Sequence, residues 1–381
     1  MLKAMDSAVA GLRAHQNKLD VIGNNIANVN TNGYKAQNYT FKDSLYTTAA
    51  SSSGGQANTG GAATVGGINA SQYGYGSMTG VISTDMSSTT PNYVGGFNAS
   101  INGAGFFVTK STNLQLNFKT VDEKNTSQAD VDATNSKLMK NSQFSFTRVG
   151  QFSLDANGYV VDANQNFVYG YQPAKAGATI GTETKDGKTT AVTQKDKNAD
   201  ITNPEGYDIG HLQPLRVPSS VTWGGNGVDK IDERVWEFGK YTKATDNYSN
   251  PSTDEQTALQ MKSISIDDSG IVKGILENSQ GNPVTIVIGK VAIATFQNPE
   301  GLTKAGNNTF VTNNVDNAGT VTTGMPGGAN STLMAGYLEG SNVDLAKEFS
   351  DMITTERGFQ ANSKLITVSD EVLQELVNMK R

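Results

Sequence analysis

The sequence has no cysteine, only two histidines and only nine prolines in 381 residues. Without cysteine there is no disulfide framework, no thiolate metal ligand and no thiol nucleophile. His15 and His211 lie far apart in the chain, and neither has a second ligand at the spacing a metal site needs, so both read as surface or structural residues. Charge is also sparse. Charged residues make up 17% of the chain and the net charge is −6 (30 − 36), which offers no bulk attraction to nucleic acid or to acidic lipid. No apolar run approaches the ~18 residues of a membrane-spanning helix. The richest, residues 284–296, is broken by Gly289 and Lys290 and is short enough to be strands. Phosphate-loop, dinucleotide and nucleophile-elbow motifs are missing too. The Gly-x-Gly of Gly103-Ala104-Gly105 lacks the amphipathic helix that a phosphate site requires and reads as a turn. Asp155-Ala156-Asn157 and Asp267-Asp268 faintly resemble calcium loops, but no acidic residue closes them at the twelfth position. The expectation is a non-enzymatic chain with no cofactor and no metal.

What the chain does have is 41 glycines and abundant asparagine, serine and threonine, a composition of surface or extracellular β proteins. Two segments break that pattern. In residues 2–28, Leu2, Met5, Val9, Leu12, Leu19 and Ile26 form a stripe at three-four spacing, with Gln16 and Gly23 as its weak points. Asp6, Arg13, His15 and Lys18 interrupt every candidate apolar core of a signal peptide, so no cleaved leader is expected. In residues 342–379, Leu345, Phe349, Met352, Phe359, Ile366, Leu373 and Val377 repeat the spacing, while Glu356, Ser363 and Asp370 put polar groups on it. Gly358 within this helix costs about 1 kcal/mol relative to alanine. Residues 341–344 read as its N-cap, with Asp344 three positions into the helix. Such wet seams are weak as an isolated pair and suit one layer of a multi-helix assembly.

The spacing and composition predict a multidomain α+β chain. Long N- and C-terminal helices form a coiled-coil-like layer, with mainly-β domains nested between them. Residues 1–30 plus 339–381 form a terminal helical polymerisation domain, and residues 31–95 a linker and extended segment. Residues 96–172 plus 261–338 form a β domain, and residues 173–260 an inserted, outer β-rich domain. The Ala-, Ser- and Gly-rich residues 48–72 are expected to be a flexible linker that lends the assembly compliance. Residues 130–139 are expected to hold a short helix. Ser153-Leu154-Asp155-Ala156-Asn157-Gly158-Tyr159-Val160 is echoed by Ser265-Ile266-Asp267-Asp268-Ser269-Gly270-Ile271-Val272, which suggests two similar hairpins flanking the insertion.

Three stretches carry a resemblance. Asn24-Asn25-Ile26-Ala27-Asn28-Val29-Asn30-Thr31-Asn32-Gly33-Tyr34-Lys35 resembles the N-terminal signature of the bacterial flagellar rod and hook family. Asn24, Asn25, Ala27, Asn28, Thr31, Gly33, Tyr34 and Lys35 carry that match. Ile101-Asn102-Gly103-Ala104-Gly105-Phe106-Phe107-Val108 is similar to the family's Gly-Phe-Phe strand. Residues 339–345, 356–362 and 373–378 resemble its C-terminal segment. Length and the insertion point to the hook branch. The resemblance implies a subunit that polymerises with itself into a curved, flexible tube transmitting torque from rod to filament. It also implies export through the flagellar type III apparatus without a cleaved signal, and contacts with distal rod, hook cap and hook-filament junction proteins. Neither nucleic-acid binding nor membrane insertion is implied. Two other readings stay open: a straight distal rod protein, and a surface adhesin or enzyme with coiled-coil ends.

Overall fold

The computed structural model describes residues 2–379 except 55, 58–62, 120–127, 174–178, 186–187, 194–205, 218–221, 224–230, 233–235, 238–239, 242–259, 278–282, 314 and 328–330. The chain divides into two compact units. Unit 1 is assembled from Met1–Thr31, Lys35–Ser87 and Ser341–Arg381, and unit 2 from Asn32–Tyr34 and Ser88–Gly340. The long helices are α1 (Leu2–Ala27), α2 (Gln128–Asn141) and α3 (Leu345–Met379).

In unit 1, α1 and α3 pair antiparallel. Gly11 lies against Asn362, His15 against Gly358, Lys18 against Asp351 and Asn25 against Glu348. The cap of α3 differs from expectation. Asp344 is itself the cap, its Oδ1 accepting from the amides of Ala346 (2.9 Å) and Lys347 (3.3 Å). The chain stays extended until then because Asn342 is already engaged. Its Oδ1 accepts from the Ala36 amide (2.6 Å) and its Nδ2 donates to the Asp85 carbonyl (2.9 Å).

The rest of unit 1 is a laddered arm. Its strands are β1 (Gln37–Asp43), β2 (Tyr46–Ala50), β3 (Gln56–Ala57), β4 (Ala63–Val65), β5 (Ser71–Gly74) and β6 (Ser77–Thr84). β1 pairs with β6, β2 with β5 and β3 with β4, all antiparallel, with Ser53 bridged to Ile68 between the last two. These nested pairs make one long two-stranded ribbon where composition pointed to a linker. Polar side chains stitch it: Gln72 Nε2 donates to Thr48 Oγ1 (3.0 Å) and Thr47 Oγ1 to the Tyr75 hydroxyl (2.9 Å). A ladder satisfied by backbone and threonine bonds needs no apolar alternation, so an apolar-pattern reading passes over it. The ribbon's base rests on α1, where Asn17 Nδ2 donates to Thr79 Oγ1 (3.1 Å).

Unit 2 is built on an antiparallel sheet. Its path runs Gln260–Ile266, Ile271–Glu277, Pro283–Val291, Phe167–Tyr171, Phe106–Lys110, Ser145–Thr147, Thr309–Val311 and Thr303–Gly306. Phe107, Phe152, Val168, Leu215, Val272, Ile288 and Ile293 meet in its core. Residues 206–217 fall in the stretch that composition set apart as an insertion, yet they run back into this sheet. Tyr169 pairs with Pro214, and Leu212, Leu215 and Val217 are buried. Much of 173–260 otherwise lies outside the described residues; within it, Thr179–Lys185 and Lys188–Thr193 form a hairpin. The helix expected near 130–139 is α2.

The echoed hairpins share one geometry. Asp155 Oδ1 accepts from the amides of Asn157 (2.9 Å) and Tyr159 (2.7 Å), and Asp267 Oδ1 from those of Ser269 (3.0 Å) and Ile271 (2.9 Å). Gly158 and Gly270 supply the positive φ, +81° and +76°. A third copy follows at Asp162, whose Oδ1 accepts from Asn164 and Asn166 (both 2.8 Å), with Gln165 at φ +63° in the glycine's place. In all three turns, two backbone amides converge on one aspartate Oδ1.

Candidate self-assembly surface

The helix pair has an unusual division of residue types. The face of α1 buried in unit 1 carries Ala8, Gly11, Ala14, Val21, Ile22 and Asn25. It meets a face of α3 that includes Glu348, Thr355, Gly358 and Asn362. A Cβ on Gly11 would stand 2.9 Å from Asn362 Nδ2, and one on Gly358 2.6 Å from His15 Cε1. Small residues therefore bring the two backbones close at Gly11 and Gly358, and polar side chains stand beside Val21 and Ile22 on the buried face.

The large apolar residues flank this seam. On α1, Met5, Leu12, Leu19 and Ile26 are half-buried and Val9 is exposed; Leu2's side chain lies outside the described residues. On α3, Met352, Phe359, Ile366 and Leu373 are half-buried, and Leu345 is exposed. Phe349 is 50% exposed and Val377 65%. A further line of Ile353, Leu365, Val368, Val372 and Leu376 faces outward. The sequence stripe is thus only partly buried within unit 1. It sits one position off the most deeply buried residues of each helix.

The signature after α1 has a local physical account. Asn28 Nδ2 donates to the Asn24 carbonyl (2.9 Å) and Oδ1 (2.8 Å), and Thr31 Oγ1 donates to Asn28 Oδ1 (3.2 Å), closing the end of the helix. Exposed Ala27 is its last residue. Asn25 imitates a strand: its Oδ1 accepts from the Gln37 amide (3.0 Å) and its Nδ2 donates to the Gln37 carbonyl (2.9 Å). The same Nδ2 donates to Glu348 Oε1 (3.0 Å), so one buried amide joins α1, β1 and α3. Burial pushes the Glu348 carboxyl above the ordinary range, against the pull of the Asn25 bond. Lys35 is buried and its Nζ donates to the Ser87 carbonyl (2.6 Å).

Within unit 2, Gly33 sits at φ +69°, and a Cβ there would stand 2.7 Å from Val149 Cγ2. Its amide donates to the Glu339 carbonyl (2.8 Å). Lys304 Nζ lies over the Tyr34 ring at 4.6 Å, and burial pulls its amine down to about 8. Glu339 also accepts from the Thr89 amide (3.4 Å) and lies 3.7 Å from Arg148 Nε. Burial lowers the Arg148 guanidinium while Glu339 opposes that shift. Arg148 donates in turn to the carbonyls of Ile101 (3.5 Å) and Gly103 (3.0 Å). Glu339 and Asn342 lie in a stretch that carries the family resemblance, but their partners are not visible in sequence, because buried polar residues carry no periodic signal.

Among the described residues, no cluster of three or more acidic or histidine side chains could hold a metal, and no helix is long and apolar enough to cross a membrane.

Two family models match the chain: "Flagella basal body rod protein" over residues 5–35, and "Flagellar basal body rod FlgEFG protein C-terminal" over residues 334–379. The chain is 31% identical to the flagellar basal-body rod protein FlgG of Bacillus subtilis (strain 168), with both chains covered completely. It is 29% identical to the flagellar hook protein FlgE of Borreliella burgdorferi, again over the whole of both. It is 26% identical to the FlgE of Escherichia coli (strain K12), over 99% of this chain and 100% of the relative.

Proposed function

The chain belongs to the bacterial flagellar rod and hook family, and from that premise we propose that it is the structural subunit of the flagellar hook. The subunit polymerises into a curved, flexible tube that carries torque from the rod to the filament. One observation carries the polymer reading. Small and polar residues make the closest α1–α3 contacts, while large apolar residues along both helices stay half-buried or exposed in the single chain, where further copies can cover them. Copies of α1 and α3 are the natural cover. An isolated pair with such a seam offers little to offset the conformational entropy of the α3 residues it orders, so free subunits keep loose ends that tighten on assembly. Partners are other copies of the chain, with distal rod, hook cap and junction proteins at the ends of the tube. The chain reaches them through the flagellar export apparatus.

The test is to concentrate the purified chain and image it. Curved tubes are expected, and protease should trim both ends of the soluble chain yet leave them intact in the tubes. A soluble chain with fully protected ends and no filaments would overturn the reading. A distal rod subunit is the second reading, favoured by the rod relative that matches over its whole length. It predicts straight, stiff tubes, so curvature separates the two.

A further inference from the structure

His15 lies in the middle of the α1–α3 seam. Its ring packs on Phe41 of β1, centroids 5.1 Å apart at 57°, and on the opposite side fills the space that Gly358 leaves open. Its Nδ1 is buried and has no hydrogen-bond partner among the described residues. A neutral imidazole with its proton on Nε2 tolerates this, because Nδ1 then holds only a lone pair. Protonation changes the account: Nδ1 becomes a buried donor without an acceptor and the ring gains a charge.

We propose that His15 is a protonation switch for the helix pair, holding α1 against α3 when neutral and releasing α3 when it takes up a proton. The groups around it favour release. Lys18 follows on the same helix, its Nζ 5.7 Å from the Phe41 ring centroid, and its charge opposes a second cation nearby. Asp351 of α3 is already drawn to Lys18, at 3.9 Å. From β1 the ring meets Phe41, behind which Tyr39 donates its hydroxyl to Thr79 of β6; from α3 it meets Gly358, which has no side chain. None of these contacts supplies an anion to the imidazolium. Burial first, and Lys18 second, hold the imidazole below its ordinary value. A depressed folded-state value means that the stabilisation is present above about pH 6.5 and is lost as the pH falls through the folded value.

The test is hydrogen exchange on the full-length chain at pH 7.5 and 5.0, corrected for intrinsic rates, with soluble and sedimented fractions measured separately. In whichever fraction is protected at pH 7.5, seam amides of α1 and α3 should lose protection at pH 5.0. The loss should be about tenfold for each pH unit by which folded His15 lies below its ordinary value. The variant His15→Gln should keep its protection at pH 5.0. Equal acid loss in His15→Gln, or no seam protection at pH 7.5 in either fraction, would overturn the proposal. Should His15→Gln fail to fold, the imidazole resonance of the wild-type chain decides. With only two histidines present, His211→Gln assigns it. A His15 titration at or above pH 6.5, or one that leaves exchange in α3 unchanged, sinks the switch. Both readouts hold whether or not tubes form, so failure of the hook reading is seen separately, by imaging.

Discussion

Two glycines within helices should respond oppositely to the same substitution. By helix propensity alone, Gly23→Ala in α1 and Gly358→Ala in α3 each gain about 1 kcal/mol. At Gly23 that gain should be realised, because an added Cβ meets nothing within 4 Å. At Gly358 the new Cβ would stand 2.6 Å from His15 Cε1, 2.9 Å from Nε2 and 3.2 Å from Nδ1. The imidazole has little room to retreat, since Phe41 stacks behind it. Overpacking of this kind costs about 1–3 kcal/mol, which cancels or exceeds the propensity gain. The expected net change runs from zero to a loss of about 2 kcal/mol. Removing the ring should restore the gain, so a cycle of Gly358→Ala with His15→Ala should show a coupling of about 1–3 kcal/mol. Opening free energies of α1 and α3 amides, read from hydrogen exchange at pH 7.5, report this locally without unfolding unit 2. If Gly358→Ala stabilises as Gly23→Ala does, or if its penalty survives in the His15→Ala background, the close helix contact described above is wrong.

Other consequences can be measured with the same chain. Leu365→Asp or Val372→Asp should leave the stability of the soluble chain within about 0.5 kcal/mol yet abolish tube formation, as followed by sedimentation and imaging. Asn25→Ala should cost about 2–3 kcal/mol in the α1–α3 pair, since it strands the Gln37 amide and carbonyl and the buried Glu348 together. Because the folded Glu348 carboxyl is raised, its contribution is present below about pH 4.5 and lost as the pH rises through the folded value. Glu348→Gln should therefore stabilise the pair at neutral pH and flatten that part of the pH profile. Gln165→Gly should raise the unfolding midpoint of unit 2, worth about 0.5–1 kcal/mol, by giving the third aspartate turn the residue its φ demands.

The two terminal helices were legible because three-four spacing is a strong signal, and the Asp155 and Asp267 turns because each reads Ser, apolar, Asp, then Gly. The face that pairs α1 with α3 was not legible. Ala8, Gly11 and Ala14 have the same period as the apolar stripe but too little side chain to weigh in a hydrophobic pattern. Leu12 and Leu19 drew attention to the flank instead. The part of the ribbon within residues 48–72 was hidden for a related reason, its ladder resting on threonine and backbone bonds without buried apolar residues. Length proved a weak guide within the family, since a rod relative covers the whole chain as a hook relative does. Asn25, Asn342 and Glu339 stood within recognised stretches, but their roles depend on partners far away in sequence, which no local pattern displays.

The separation of α1 from α3 along the chain also sets an order of events. α1 begins at Leu2 and α3 at Leu345, with all of Ser88–Gly340 synthesised in between. Until α3 emerges, the seam of Ala8, Gly11 and Ala14 has nothing to close on, and the long loop between the helices makes this contact a late one. A chain broken off anywhere before Leu345 lacks the partner altogether. Early truncation and loss of the α1–α3 pair are therefore one event, whatever the state of the Ser88–Gly340 unit.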